Sequence, residues 1–414
     1  MSSWSRRAGS GARSFAVAAF VAGCLASTGA RGAETYVQPQ YDLRVEGNDN
    51  FDLLPDGTPD GNVYGIIADA RALIGIATPR SETTLRPRLR LQEYPDRDDL
   101  ERIEGFLDLR SRYEWQRAEF LLIGRYSQQD TYNTETLGGE FDPLDPNYGG
   151  NADVRRSLVG ETRKRLELNP TFKYELTERF TAGAGVRYEN VNFDSDGIEE
   201  HTDYEFTQAD ASLSWTLTPV SDFGVGTYVS KYQAKDDRTE TDAYGAGIGY
   251  NYRWSEVTGL EVRVFYETND VSNSVPVRSD ESTSGWGGVL AAYRKYEVSD
   301  WRVSIGRTYI PTGDGGKAAS DLLRLQYRRN LSERLAFNGA GRFEKRNSLT
   351  GTRGSEDRDY ARADLSLEWF MTPAWYLQGG YSYVWQDREN ASGDADNNVL
   401  FVSAGYKGLG RQRR

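Results

Sequence analysis

Arg165-Leu166-Glu167-Leu168-Asn169-Pro170-Thr171-Phe172-Lys173-Tyr174-Glu175-Leu176 reads as two interleaved sets of side chains. Leu166, Leu168, Phe172, Tyr174 and Leu176 fall on one face of an extended chain; Arg165, Glu167, Asn169, Thr171, Lys173 and Glu175 fall on the other. A period of two is that of a β-strand. Three polar residues follow, Thr177-Glu178-Arg179, and then Phe180 starts a second run of the same kind. The unit is a strand, a tight turn and a strand.

The unit recurs to the end of the chain. Leu85, Leu89 and Leu91 oppose Arg86, Arg88, Arg90 and Gln92; Leu107, Leu109 and Tyr113 oppose Asp108, Arg110 and Arg112. About 18 such segments are counted between Val37 and Lys407. Short connectors alternate with long ones. The short set, such as Leu217-Thr218-Pro219-Val220 and Leu331-Ser332-Glu333-Arg334-Leu335, places Ser or Thr and a charge or Pro between apolar residues. The long set is rich in Asp, Asn and Gly, as at Asn48 to Asn62, Asp130 to Thr162 and Glu389 to Asn398. Such asymmetry is expected of a transmembrane antiparallel up-and-down β-barrel, with short periplasmic turns and longer outer loops. The fold class is therefore all-β, a barrel of about 18 strands. A propeller would show a blade repeat near 40–50 residues, and none is present.

Composition fits. The chain is 414 residues long, 38% hydrophobic and 27% charged, with mean hydropathy -0.68. Such polarity suggests disorder, yet aromatics reach 12%. A wide barrel reconciles the two, because half of its strand residues face water. Net charge is -12, which disfavours nucleic acid as a partner. Trp115, Trp215, Trp254, Tyr296, Trp301, Tyr327, Trp369 and Trp375 stand beside the short turns, as an interfacial girdle requires. A second ring is expected at the loop ends from Tyr94, Tyr126, Tyr188, Tyr228, Tyr266, Tyr309 and Trp385.

The beginning of the chain reads as an export signal. Arg6, Arg7 and Arg13 precede an apolar run from Phe15 to Ala26, and small residues follow. Cleavage after Ala30 and after Ala33 both fit, and the signal peptide is placed at 1–33. Val21-Ala22-Gly23-Cys24 also resembles a lipobox, which would lipidate Cys24 instead. The barrel is placed at 34–407 and a polar tail at 408–414. The expected location is the outer membrane of a Gram-negative bacterium, among lipid and lipopolysaccharide, after handling by the barrel-assembly machinery.

Most of the chain after the leader resembles the bacterial outer-membrane β-barrel porin family. The features that carry the resemblance are an opening strand, Tyr41-Asp42-Leu43-Arg44-Val45-Glu46-Gly47-Asn48-Asp49-Asn50, the hairpin pattern, and a closing strand, Asn398-Val399-Leu400-Phe401-Val402-Ser403-Ala404-Gly405-Tyr406. The resemblance implies a barrel with a porin-like role; some relatives are associated with exopolysaccharide and exosortase systems. One departure is the end of the chain. Such barrels close on an aromatic residue, whereas Tyr406 here is followed by eight more residues.

The chemistry expected is that of a lumen. Arg86, Arg88, Arg90, Arg110 and Arg112 lie on neighbouring strands and are the candidate charge patch; they either bias permeation toward anions or pair with carboxylates across strands. Arg324, Arg328, Arg342, Glu344, Arg362, Asp364 and Glu368 form a mixed sector. The acidic loops suit a hard cation but lack EF-hand spacing, so solvated loops are the preferred reading, with no metal or cofactor. The chain has one Cys and one His, no Gly-x-Ser-x-Gly motif, and is not read as an enzyme. His201 is expected in a solvated loop. The loop from Asp130 to Thr162 either folds inward or covers the mouth. The expected function is a porin-like channel for small polar solutes or saccharides. The alternatives are a component of exopolysaccharide or surface-structure export and a non-conducting structural or adhesive barrel.

Overall fold

A computed structural model describes residues 33–408, except 56–61, 96, 98–99, 132–160, 195–200, 236–238, 274–278, 314, 350–356 and 389–392. The leader with Cys24, the tail beyond 408, and most of the loop between Asp130 and Thr162 lie outside the described residues.

Eighteen strands form one sheet: β1 (Glu34–Asn48), β2 (Val63–Ala77), β3 (Ser81–Glu93), β4 (Arg102–Glu114), β5 (Ala118–Asp130), β6 (Thr162–Glu175), β7 (Phe180–Asp194), β8 (Tyr204–Thr218), β9 (Ser221–Ala234), β10 (Thr239–Ser255), β11 (Thr258–Asn273), β12 (Ser279–Lys295), β13 (Ser299–Thr312), β14 (Gly316–Asn330), β15 (Leu335–Ser348), β16 (Arg358–Phe370), β17 (Trp375–Arg388) and β18 (Ala395–Lys407). Each pairs antiparallel with its sequence neighbours. β1 pairs with β18 from Gln40↔Lys407 to Asn48↔Val399, which closes the barrel. The start of β1 and the end of β18 lie on the short-turn rim.

The alternation read from sequence is the alternation between outside and lumen. Leu166, Leu168, Phe172 and Tyr174 are exposed on the outer face, as are Leu213, Ile248, Leu325, Leu365 and Val402. An apolar belt in contact with lipid accounts for their exposure, since all backbone groups are satisfied by a closed sheet. Short turns are tied by Ser or Thr: Thr177 Oγ1 accepts from Phe180 N at 3.1 Å, Ser332 Oγ from Leu335 N at 3.1 Å, and Thr372 Oγ1 from Trp375 N at 3.0 Å. The recurring apolar–Ser/Thr–polar–apolar connectors are these turns.

Strands run further at the loop side than the apolar pattern suggests. β12 begins at Ser279 rather than Gly285, because Asp280, Glu281, Ser282 and Ser284 extend the strand beyond the apolar belt. The turn-side aromatic ring is present: Trp215, Trp254, Trp369 and Trp375 are exposed. The loop-side ring is only partly so. Tyr126, Tyr188, Tyr266 and Trp385 share the outward face of their strands, and Tyr266 packs edge-on against Trp286. Tyr94 is instead buried inside, against Phe51 and Leu100, and donates to Glu46 at 3.1 Å. Tyr228 faces the lumen opposite Gly245. Tyr309 turns inward with its hairpin, as described next.

Candidate functional site

The β13–β14 hairpin parts from β12 on the loop side, while β14 stays paired with β15 as far as Ala318↔Ser348. β12 and β13 pair only from Lys295↔Asp300 to Gly288↔Arg307, whereas β13 and β14 pair on to Thr312↔Gly316. Beyond Arg307 the hairpin turns into the barrel and lies over the inner faces of β9, β10 and β11. Lys317 Nζ donates to Glu267 Oε1 at 2.7 Å and to Asn269 Oδ1 at 2.8 Å. Tyr232 donates to the Thr312 carbonyl at 3.0 Å, and Thr202 N donates to the Gly313 carbonyl at 2.7 Å. The ring of Tyr309 stands edge-on to Phe265 at 6.3 Å. Beneath the tip, Val191, Tyr204, Phe206 and Tyr232 form a buried cluster.

His201 belongs to this inner layer, which corrects the solvated-loop expectation. It is buried, contacts Glu161 through Nδ1, and stacks on Phe193 at 5.0 Å. A second inward segment follows β1. Leu53 packs on Tyr360, Val384 and Ala395, and its carbonyl accepts from Gln386 at 3.3 Å. Its φ of 50° is a left-handed conformation unusual for leucine. Asn50 holds it there, accepting from Leu54 N at 2.9 Å and donating to the Asp396 carbonyl at 2.8 Å. The loop-side half of the lumen is thus lined by inserted chain.

Toward the short turns the lumen is open. Asp210 and Ser212 are exposed although they face inward, and a Cβ built on Gly224 would meet nothing closer than 3.7 Å. Inward aromatics nearby lie along the wall. Tyr228 lies over Gly245, Tyr293 over Gly259, Tyr376 over Gly405 and Phe401 over Gly380, each glycine directly opposite on the next strand. A Cβ there would stand 2.2–2.6 Å from the ring or its hydroxyl. Only glycine lets an aromatic lie flat in this way.

All five arginines of the candidate patch face inward, and they divide into two kinds. Arg88 contacts Asp69 at 2.5 Å, and Arg90 reaches Asp69 and Glu104 at 3.4 Å. Arg112 meets Glu114 at 2.8 Å and Glu119 at 2.5 Å. Arg86 and Arg110 are exposed to the lumen and have no hydrogen bond or ion pair among the described residues. The pairing alternative therefore accounts for three of the five; Arg86, which stands opposite Asp108, and Arg110 make no such contact among the described residues.

The larger basic sector is elsewhere, on β14 to β17. Arg324 stands opposite Arg342, which stands opposite Arg362; Arg346 stands opposite Arg358, which stands opposite Arg388. Carboxylates stand among them. Glu344 contacts Arg342 and lies 3.2 Å from Arg346, and Arg362 grips Asp364 at 2.8–2.9 Å. Glu368 is shared by Arg328 at 3.1 Å and Lys407 at 3.0 Å. The sequence reading placed Arg324, Arg328, Arg342 and Arg362 in a mixed sector and left out Arg346, Arg358 and Arg388. Those three lie at loop-side strand ends, and the signal was available: each keeps the parity of the inward face of its strand.

A closed 18-strand barrel with an apolar belt outside and charge inside is the architecture of an outer-membrane β-barrel. No family model matches the sequence, and no curated protein matches it. Among solved structures, OccK2 (OpdF) of Pseudomonas aeruginosa, in complex with glucuronate, is similar at 10% identity over 91% of this chain and 99% of that one, with a TM-score of 0.45. OccAB4 of Acinetobacter baumannii is similar at 11% identity over 91% and 99%, with a TM-score of 0.42. The ferric-catecholate import receptor Fiu of E. coli K12 is similar at 9% identity over 88% and 81%, with a TM-score of 0.45.

Proposed function

We propose that the protein is an outer-membrane channel for small polar solutes, with anions favoured. The observation that carries this is the pair of arginine rows on β14 to β17. Like charges directly opposite on adjacent strands repel one another, and Glu344 and Asp364 stand among them. Arg342, Arg346 and Arg358 are buried, whereas Arg324, Arg362 and Arg388 are partly exposed, and positive charge on that inner face concentrates anions within the lumen. Arg86 and Arg110 add positive charge on β3 and β4, further round the ring.

A second reading, a barrel closed to free flow, is favoured by the inserted hairpin and the Leu53 segment. One experiment separates the two. Purified barrel is inserted in planar bilayers under a salt gradient. Steps of conductance with a reversal potential on the anion-selective side support the channel; a barrel that inserts but stays silent supports the closed form.

A further inference from the structure

The parting of β13 from β12 leaves a strand edge open in an otherwise closed wall. Tyr296 N donates to the Ser299 carbonyl at 2.7 Å, and Lys295 N donates to the Val257 carbonyl at 2.8 Å. Backbone groups along a strand point alternately to its two neighbours. Even-numbered residues of β12 therefore face β13, and odd-numbered ones face β11. Pairing with β11 runs unbroken from Thr258↔Arg294 to Asn273↔Ser279, so the assignment holds to the loop side. Pairing with β13 stops at Gly288↔Arg307. The N–H and C=O of Trp286, Ser284 and Ser282 thus have no strand partner on that side among the described residues. Trp286 is also 68% exposed, the most of any described tryptophan. It marks the loop-side interface, where headgroups and water can meet an open edge.

The groups that would fill this edge belong to the departing hairpin. Extending the register past Gly288↔Arg307 sets Trp286 opposite Tyr309, Gly285 opposite Ile310, Ser284 opposite Pro311 and Thr283 opposite Thr312. Tyr309 would then face outward beside Trp286, because it shares the parity of Ile305 and Arg307, both exposed. Pro311 would fall on the side that faces β12. It has no N–H, so the Ser284 carbonyl would lack its donor. In the lumen the hairpin has other partners. Lys317 meets Glu267 and Asn269, and the tip accepts from Tyr232 and from Thr202 N. The Tyr309 hydroxyl lies against β12 at Gly285, where a Cβ would collide with it.

We propose that the hairpin is a gate with two seats: the one inside the lumen, and a second in the wall, zipped to β12 in the extended register. Seating in the wall draws the tip out of the lumen and widens its loop-side half. The ladder between β13 and β14 stays whole, and the loop-side end of β15, paired with β14 as far as Ala318↔Ser348, moves with it. Each seat is held by a few contacts that the other lacks, which is what a two-state element requires. The inference stands apart from the channel reading: crosslinking reports the seat, and conductance reports the path.

Disulfide trapping on the full barrel in detergent tests it, with Cys24→Ser in every variant. Thr283→Cys/Thr312→Cys places two thiols at a non-hydrogen-bonded pair of the wall seat. In the lumen seat they stand apart. The tip there lies at Tyr232 and Thr202, roughly three strand spacings or about 14 Å from β12, beyond the reach of a disulfide. Ala291→Cys/Ser304→Cys, opposite one another in both seats, is the positive control. Under copper phenanthroline the control should close at once and the test pair more slowly. Lys317→Met, which removes an anchor of the lumen seat, should speed closure of the test pair by about tenfold or more. Pro311→Ala, which restores the missing donor of the wall seat, should speed it by about fivefold. Oxidation of the test pair should raise single-channel conductance, and heat-modifiable gel migration reports folding of each variant. A test pair that never closes while the control does, or that closes indifferently to both substitutions, overturns the gate. A barrel that conducts equally when oxidised and reduced removes the gate and keeps the channel. One that crosslinks as expected but is silent in both forms keeps the second seat and removes the channel.

Discussion

The ammonium of Lys317 lies 2.7 Å from the carboxylate of Glu267, although one belongs to β14 and the other to β11. Both are buried. The contact is made inside the barrel, because the first residues of β14, still paired with β15, lean inward across the inner faces of β9 and β11. Glu267 also accepts from the hydroxyl of Tyr228, so the pair anchors the hairpin to two further strands.

Removing the ammonium should therefore release the hairpin. Lys317→Met leaves Glu267 buried with its counter-charge gone, a loss of about 3–5 kcal/mol for a buried pair. The expected results are a lower temperature for the heat-induced gel shift and a larger single-channel conductance. An unaltered conductance would show that the hairpin does not narrow the path.

The flat aromatics make a sharper geometric prediction. A Cβ on Gly245 would stand 2.4 Å from the Tyr228 ring, while one on Gly224 would find nothing within 3.7 Å. Gly245→Ala must push the ring toward the lumen axis, at about 1–3 kcal/mol of overpacking. Gly224→Ala should be near neutral. Equal thermal shifts in the two variants would count against the stacked arrangement.

These two features also mark where sequence reading stops. Alternation assigned Leu166 outward and Glu167 inward, and it counted the strands, because period-two polarity is a local property that lipid on one side and water on the other impose on each strand. The same rule placed all five candidate arginines inward. It failed for Tyr228, Tyr94 and Tyr309. An aromatic near a loop end fits a girdle and a lumen wall equally well until the residue opposite is known. For Tyr228 that residue is Gly245, seventeen positions along the chain. The turning-in of β13 had a weak local sign, Pro311, which cannot donate to a ladder. Its cause is non-local, since Lys317 finds partners on β11. His201 was misjudged for a similar reason, its partner Glu161 lying forty residues away.

The division among the patch arginines predicts that two substitutions will differ. Arg110 has no partner among the described residues and Arg88 is held by Asp69. Arg110→Glu should shift the reversal potential toward cations with little change in stability. Arg88→Gln should leave selectivity closer to wild type but lower stability, since Asp69 keeps only the longer contact to Arg90. Reversal potentials in a KCl gradient and thermal gel shifts measure both. If Arg88→Gln moved selectivity more than Arg110→Glu, the assignment of free and paired charge would be wrong.

Adjacent residues on β8 test the orientation of the whole wall. Leu213 is exposed on the outer face, and Ser212 is exposed on the inner one. Exposure alone does not distinguish them; the solvent does. Arginine at this lipid-facing position, one step inward from the Trp215 girdle, should cost less than the about 2–4 kcal/mol of the bilayer midplane but still a measurable amount, whereas a lumen substitution tunes selectivity at little cost. Leu213→Arg should therefore refold poorly into vesicles and unfold at lower denaturant, while Ser212→Arg should match wild type in stability and gain anion selectivity. The same cost at both positions would mean that lipid does not contact this face, and the membrane-spanning assignment would fall with it.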